Sequence, residues 1–129
     1  MAVLSTGIDI VEIDHLTQVI ERRGARFVQR VFTAAERAYC DGRPCPPMHY
    51  AGRFAVKEAV LKAIRTGMIK GLSWHDIEVE IGPLGEPSVR LSGGAAQRAE
   101  EMGITAVHVS ISHTEQYAVA SAVADGGTP

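Results

Sequence analysis

Asp9, Glu58 and Lys62 are the side chains whose types and spacing could serve phosphate and metal chemistry. Asp9 stands between Ile8 and Ile10, where a carboxylate adds nothing to packing and unpaired burial would cost several kcal/mol. It is either a strand-edge residue facing water or part of a site. Glu58 and Lys62 are four apart, so on a helix they share a face, separated by about 6 Å of axial rise. Alone, such a pair is an exposed ion pair worth a few tenths of a kcal/mol. Mg²⁺, however, takes one or two carboxylates and completes its octahedron with water and substrate phosphate oxygens. An Asp from a strand and a Glu from a helix, with lysines nearby, are the minimum kit for it. The kit stays generic until the elements carrying these residues are placed together.

Other chemistries are less well supplied. Ser112 and His113 are adjacent on an expected strand and would point apart, and neither they nor Ser110 belong to a G-x-S-x-G elbow. Walker A and G-x-G-x-x-G patterns are absent. His108 reads as a hydrogen-bonded structural residue. Cys40 and Cys45, the only cysteines, sit in a Pro-rich stretch with no second Cys or His pair to complete a zinc site, so free thiols are expected.

The elements that must position these groups follow from hydrophobic pattern and punctuation. Residues 3–13 read as a buried strand containing Ile8, Ile10, Val11 and Ile13, and Asp14 is expected to cap a helical segment over 16–21. After Gly24 a second amphipathic piece sets Phe27, Val28 and Val31 against Arg26 and Arg30. Thr33 and Glu36 match a capping box, predicting a helix over 34–40. Pro46 or Pro47 then opens a long helix that carries the 53–67 stretch, extends to about Thr66 and stops at Gly67. A strand over 74–81, a GPLGEP turn and a return strand over 88–91 form a hairpin. A short helix over 95–102 closes at Gly103. Val107, Val109 and Ile111 alternate with His108, Ser110 and Ser112, a turn spans 114–116, and Tyr117, Val119, Ser121 and Val123 return. Strands at both ends around a helical middle indicate an α+β fold with an antiparallel sheet of hairpin strands packed on the long helix. One domain over 1–124 is expected, with a frayed tail over 125–129.

The 129 residues, 46% apolar and 22% charged, suit a soluble globular chain that can remove about two-thirds of its unfolded surface from water. No apolar run approaches the roughly 20 residues of a membrane span, and the start lacks a basic region followed by a long apolar core. A cytoplasmic setting without a membrane partner is expected. Charge is unevenly spread: from Arg22 to Arg43 six arginines face only Glu36 and Asp41, a local balance of plus four in a chain of net charge −2. Such a block invites an anionic partner to one place, or is a solvated helical face. Nucleic acid fits poorly, because Phe27 and Phe32 are the only aromatic residues in the first part of the block and the chain is acidic overall.

In order, GIDIVEI, RFVQRVFTAAERAYC, AGRFAVKEAVLKAIRTG, SWHDIEVEIGPLGEPSVRL and HVSISHTEQYAVA resemble the holo-acyl-carrier-protein synthase family of small phosphopantetheinyl transferases, over residues 7–124. The resemblance implies the 4'-phosphopantetheinyl transferase fold and a homotrimer with sites between subunits. The implied reaction moves the phosphopantetheine arm of coenzyme A onto a serine of an acyl carrier protein in fatty acid synthesis, or onto a carrier domain of polyketide or peptide synthesis. Adenosine 3',5'-bisphosphate is released. In this likeness Asp9 and Glu58 match magnesium ligands, Lys62 a residue that neutralises phosphate, and His113 and Thr114 positions that contact the adenosine bisphosphate end from a neighbouring subunit. Glu58, or a metal-bound water, would take the serine proton. Arg22, Arg23, Arg26 and Arg30 would steer an acidic carrier protein, with Phe27, Phe54 and Met68 adding apolar contact. The alanine-rich run 118–124 would permit close packing of subunits. Two departures stand out: Asp14-His15 where relatives carry a basic pair, and Arg65 where a glycine is common.

Overall fold

The structure, a computed structural model, describes residues 2–127. Its frame is α4 (Pro46–Ala63), which is apolar nearly all round and therefore central. Ala51, Ala55, Val56, Ala59, Val60, Ala63 and Ile64 have no exposed surface. Against α4 lies a three-stranded antiparallel sheet in the order β1 (Ala2–Glu12), β5 (Tyr117–Gly126), β4 (Ile104–His113). Ala118, Ala120, Ala122 and Ala124 of β5 face the helix and are buried, and their small side chains let strand and helix approach closely. The alanines expected to pack between subunits are thus spent inside the chain.

Between β1 and α4 run α1 (Ile13–Arg23), α2 (Ala25–Val31) and α3 (Ala34–Asp41). After α4 come a single 3-10 turn (Trp74–Asp76), the hairpin β2 (Ile77–Ile81) and β3 (Pro87–Leu91), and α5 (Gly93–Glu101). The hairpin forms its own two-stranded sheet, so the described residues form two antiparallel sheets rather than one. No helix among the described residues is long and apolar enough to cross a membrane.

Several expectations need correcting. Ile8 and Ile10 are each 63% exposed, because strand alternation points Gly7, Asp9 and Val11 toward α4 and the isoleucines to the sheet's outer face. Asp14 is not a cap: Glu12 holds that position without a side-chain bond, and Asp14 lies in the first turn of α1. Ser73 and Asp76 form a capping box on the 3-10 turn, which delays the strand expected from Trp74 until Ile77. The long helix ends at Ala63 rather than near Thr66, with Arg65 in the left-handed region at φ 60. Of the tail expected over 125–129, Asp125 and Gly126 belong to a strand instead. β5 runs through Gly126, His108 Nε2 bonds Asp125 at 2.8 Å and the Gly127 N–H donates to Gly103; residues 128–129 lie outside the described residues.

The capping box at Thr33 forms as expected, with Glu36 accepting from the Thr33 N–H at 2.8 Å. Both cysteines are free; Cys40 is buried, and desolvation pushes its thiol up to about 12.

Candidate active site

Gly7 sets the distance between β1 and α4. A Cβ there would fall well inside contact distance of the Ala59 carbonyl, so only glycine lets the strand rest on the helix backbone. Ser5 fastens the same contact by donating to the Ala63 carbonyl. Two residues beyond Gly7, on the same face, Asp9 meets the last turns of α4. Lys62 Nζ donates to the Ile8 carbonyl at 2.8 Å and lies 3.2 Å from Asp9 Oδ1. The Lys62 side chain is 54% exposed and that of Asp9 18%, so their ion pair adds little to stability.

Glu58 is half-buried one turn before Lys62. Burial raises its pKa above the ordinary carboxylate value, the Asp9 charge raises it further, and Lys62 partly offsets both. Two carboxylates from remote parts of the chain are therefore close enough to repel, under a single ammonium. Such a pair accommodates a hard cation that supplies its remaining ligands from water and substrate. No cluster of three or more His, Cys, Asp or Glu residues that could hold a metal occurs among the described residues.

His113 and Thr114 lie elsewhere in the same chain. His113 pairs with Ala118 of β5, which pairs with Val11, whereas Asp9 pairs with Ala120. With β5 between them, β4 and β1 run about 10 Å apart. His113 fits into the space that Gly52 leaves on α4, where an added Cβ would press on Nε2 at 2.8 Å. That buried Nε2 has no hydrogen-bond partner among the described residues. Burial, and then the Arg53 charge, hold the His113 pKa below the ordinary histidine value. His49, with its ring 6.1 Å from His113, is lowered by the same two causes in the same order. Both shifts favour the neutral form of the ring. Thr114 accepts from the Gln116 and Tyr117 N–H groups, shaping the β4–β5 turn.

The basic block forms a surface. Arg23, at the end of α1, lines a groove with Arg26, Phe27 and Arg30 of α2. Arg30 also lines a second groove, shared with Met68, Lys70 and Trp74. His75 Nε2 bonds the Gln29 carbonyl at 2.7 Å and ties the far wall to α2. Arg22 is exposed beside this surface, and Phe54 lies partly beneath it, its ring 5.4 Å from Trp74. Asp14 and His15 stand at the opposite end of α1, roughly 12 Å of helix from Arg22. Phe32, by contrast, is wholly buried.

Three contributors were not singled out from the sequence. Gly7 lies within the strand expected over 3–13 without a role of its own. Arg53, 3% exposed, stacks 4.3 Å from the Tyr39 ring and biases both histidines. Lys57 is completely buried, 3.0 Å from Glu36, and donates to the Trp74 and Ile77 carbonyls. The one available signal for Lys57 is a lysine that shares a helix face with Arg53 among the apolar residues Phe54, Val60, Leu61 and Ile64.

Known proteins resemble this chain over nearly its whole length. A holo-[acyl-carrier-protein] synthase of Koribacter versatilis is 50% identical over 121 residues, 94% of this chain and 97% of that protein. The crystal structure of the Neisseria meningitidis holo-[acyl-carrier-protein] synthase superposes with a TM-score of 0.87 at 30% identity, covering 96% of this chain and 99% of that one. That of the Helicobacter pylori holo-[acyl-carrier-protein] synthase in complex with coenzyme A gives 0.81 at 32% identity, covering 93% and 99%. The family described as the 4'-phosphopantetheinyl transferase superfamily matches residues 5–122, and with that match over nearly the whole length the chain belongs to this superfamily.

Proposed function

We propose that this chain is a holo-[acyl-carrier-protein] synthase whose active centre is Asp9, Glu58 and Lys62. It transfers the 4'-phosphopantetheine arm of coenzyme A to a serine of an apo acyl carrier protein in fatty acid biosynthesis and releases adenosine 3',5'-bisphosphate. The observation that carries the residue assignment is the convergence of Asp9 with Glu58 and Lys62, across a strand–helix contact that only Gly7 permits. The serine oxygen, giving up its proton to Glu58 or to a water, bonds to the phosphorus bearing the arm. The bond from that phosphorus to the bridging oxygen breaks, its electron pair leaving with the nucleotide.

Little covalent chemistry falls to the protein, so catalysis is positioning and charge neutralisation. Asp9 and Glu58 are the residues that would hold Mg²⁺, which when bound supplies positive charge to the diphosphate. Lys62, tethered to the Ile8 carbonyl, keeps its ammonium beside the two carboxylates and adds charge where the leaving phosphate develops it. Intact-mass measurement of apo carrier protein after incubation with coenzyme A tests the reading. The carrier should gain the arm with Mg²⁺ and not with chelator.

Docking of the carrier falls to the groove of Arg23, Arg26, Phe27 and Arg30 and to the second groove that Arg30 lines with Met68, flanked by Arg22 and underlain by Phe54. An acidic partner is steered there by charge. Arg26→Glu should raise KM for the carrier about tenfold, a loss of about 1.4 kcal/mol, and leave KM for coenzyme A nearly unchanged. Equal effects on both substrates would reject the docking role.

The complete site is shared between subunits of a homotrimer. Three observations support this reading: the exposed Ile8 and Ile10 on the outer sheet face, the unpartnered His113 Nε2, and the separation of His113 and Thr114 from Asp9 within one chain. His113 and Thr114 then serve the nucleotide bound at a neighbour's Asp9. Asp9→Ala and His113→Ala proteins, each inactive, should recover activity when mixed and allowed to exchange subunits. No recovery from a mixture shown to have exchanged would exclude shared sites.

A further inference from the structure

Arg65 occupies the position directly after Ile64, the C-cap of α4, in the left-handed region at φ 60. Glycine is the usual residue there, because an L side chain strains the backbone. The helix end needs nothing from this side chain. The Arg65 and Thr66 N–H groups donate to the Lys62 and Leu61 carbonyls, each at 3.0 Å, and the Ile64 N–H to that of Val60. Ser5 donates to the Ala63 carbonyl, and Arg98 Nε to that of Ile64 at 2.9 Å. The guanidinium of Arg65 is left over: the residue is exposed, and among the described residues that group makes no hydrogen bond or ion pair. A glycine would satisfy the backbone without strain, so what the arginine contributes is its charge and its donors.

We propose that Arg65 is a second phosphate-binding cation of the transferase site, donating with Lys62 to the diphosphate of coenzyme A. The inference rests on the reading of Asp9, Glu58 and Lys62 as the active centre. Lys62 lies three residues earlier, with its ammonium held between the Ile8 carbonyl and Asp9. Its contribution is a point charge, pinned close to the carboxylates. A planar guanidinium just beyond the helix end adds what an ammonium cannot, two parallel donors matched to phosphate oxygens. Strain retained at the rim of a site, around a side chain with no structural partner, is the pattern expected of a ligand-binding residue.

Arg65→Gly separates this role from a structural one, because the two move in opposite directions. Relief of the left-handed strain should raise the melting temperature by a few degrees. Loss of the guanidinium should raise KM for coenzyme A, and for its 3'-dephospho analogue, by about tenfold, with KM for the carrier unchanged. Arg65→Lys should recover part of that loss. A KM for coenzyme A within twofold of the parent value would overturn the proposal. So would an equal effect on the carrier, or an effect seen with coenzyme A but not with the 3'-dephospho analogue. Calorimetric titration of both proteins with coenzyme A separates this failure from failure of the active-centre reading. A parent that binds while Arg65→Gly binds equally well overturns only the role of Arg65, whereas a parent that binds no coenzyme A overturns both.

Discussion

Replacing Asp9 by asparagine or Glu58 by glutamine is expected to lower the rate of arm transfer by about a thousandfold while the fold survives. Each change keeps side-chain shape and removes one of the two negative charges that meet between β1 and α4. The loss follows from the reaction: a diphosphate ester is broken by neutralising charge as it develops, and single electrostatic contributors to such sites are worth about 10²–10³ in rate. Stability should move the other way. In the folded chain Glu58 has a raised pKa, from burial first and from the Asp9 charge second, so it holds its proton to a higher pH than in the unfolded chain. Its favourable contribution is therefore complete below the unfolded value and is lost as pH rises through the folded one. In metal-free buffer at neutral pH, Glu58→Gln should melt no lower than the parent, and the parent should approach it as pH falls below the ordinary glutamate range. Thermal melts across that window, beside transfer rates, check both halves. A variant that loses activity only in proportion to lost folded protein would contradict the assignment.

The largest effect on stability should come from a pair that touches no substrate. Lys57 and Glu36 are both fully buried and 3.0 Å apart. Burial lowers the Lys57 pKa, and Glu36 works against that shift. Removing one partner strands the other's charge in the core, a loss of about 3–5 kcal/mol, so Lys57→Met should lower the melting temperature by about 10 °C or more. An isolated buried ion pair can often be replaced on both sides by apolar residues at little cost. Here that rescue should fail. Lys57 also donates to the Trp74 and Ile77 carbonyls, and Glu36 accepts from the Thr33 and Val79 N–H groups. A Lys57→Met, Glu36→Leu double variant takes these partners from the Ile77 carbonyl and the Thr33 and Val79 N–H groups, each worth about 1–3 kcal/mol, and leaves the Trp74 carbonyl with the Ile77 N–H alone. It should be about as unstable as either single variant, the non-additivity expected of one connected network. A double variant with parental stability would show that the backbone contacts matter little.

The same pair shows where a sequence stops being readable. Thr33 and Glu36 announce the start of α3, and the structure contains that capping box. Nothing in the local pattern tells that the carboxylate also reaches β2, 43 residues on. Lys57 and Glu58 are neighbours, yet one is sealed into the core and the other faces Asp9. A helix apolar nearly all round gives no moment by which to assign its faces. Alternation made the β4–β5 hairpin legible, but alternation alone cannot say which face of a sheet a single chain covers. Ile8 and Ile10 therefore read as core and turned out exposed. Gly67 looked like the end of the long helix on propensity; the end falls earlier because Arg65 adopts the left-handed conformation that glycine usually supplies. As for the site, residue types supplied Asp9, Glu58 and Lys62 as members of a possible kit. Their meeting depends on a backbone contact at Gly7 and Ala59 that no propensity encodes.

The central claim, that Asp9 and Glu58 hold one divalent ion between them, is tested most directly by titrating the protein with Mn²⁺ in place of Mg²⁺, in the presence of coenzyme A, and following free ion by electron paramagnetic resonance. The parent should bind one ion per chain, and both Asp9→Asn and Glu58→Gln should lose that site while remaining folded. An unchanged dissociation constant in either folded variant would contradict the account.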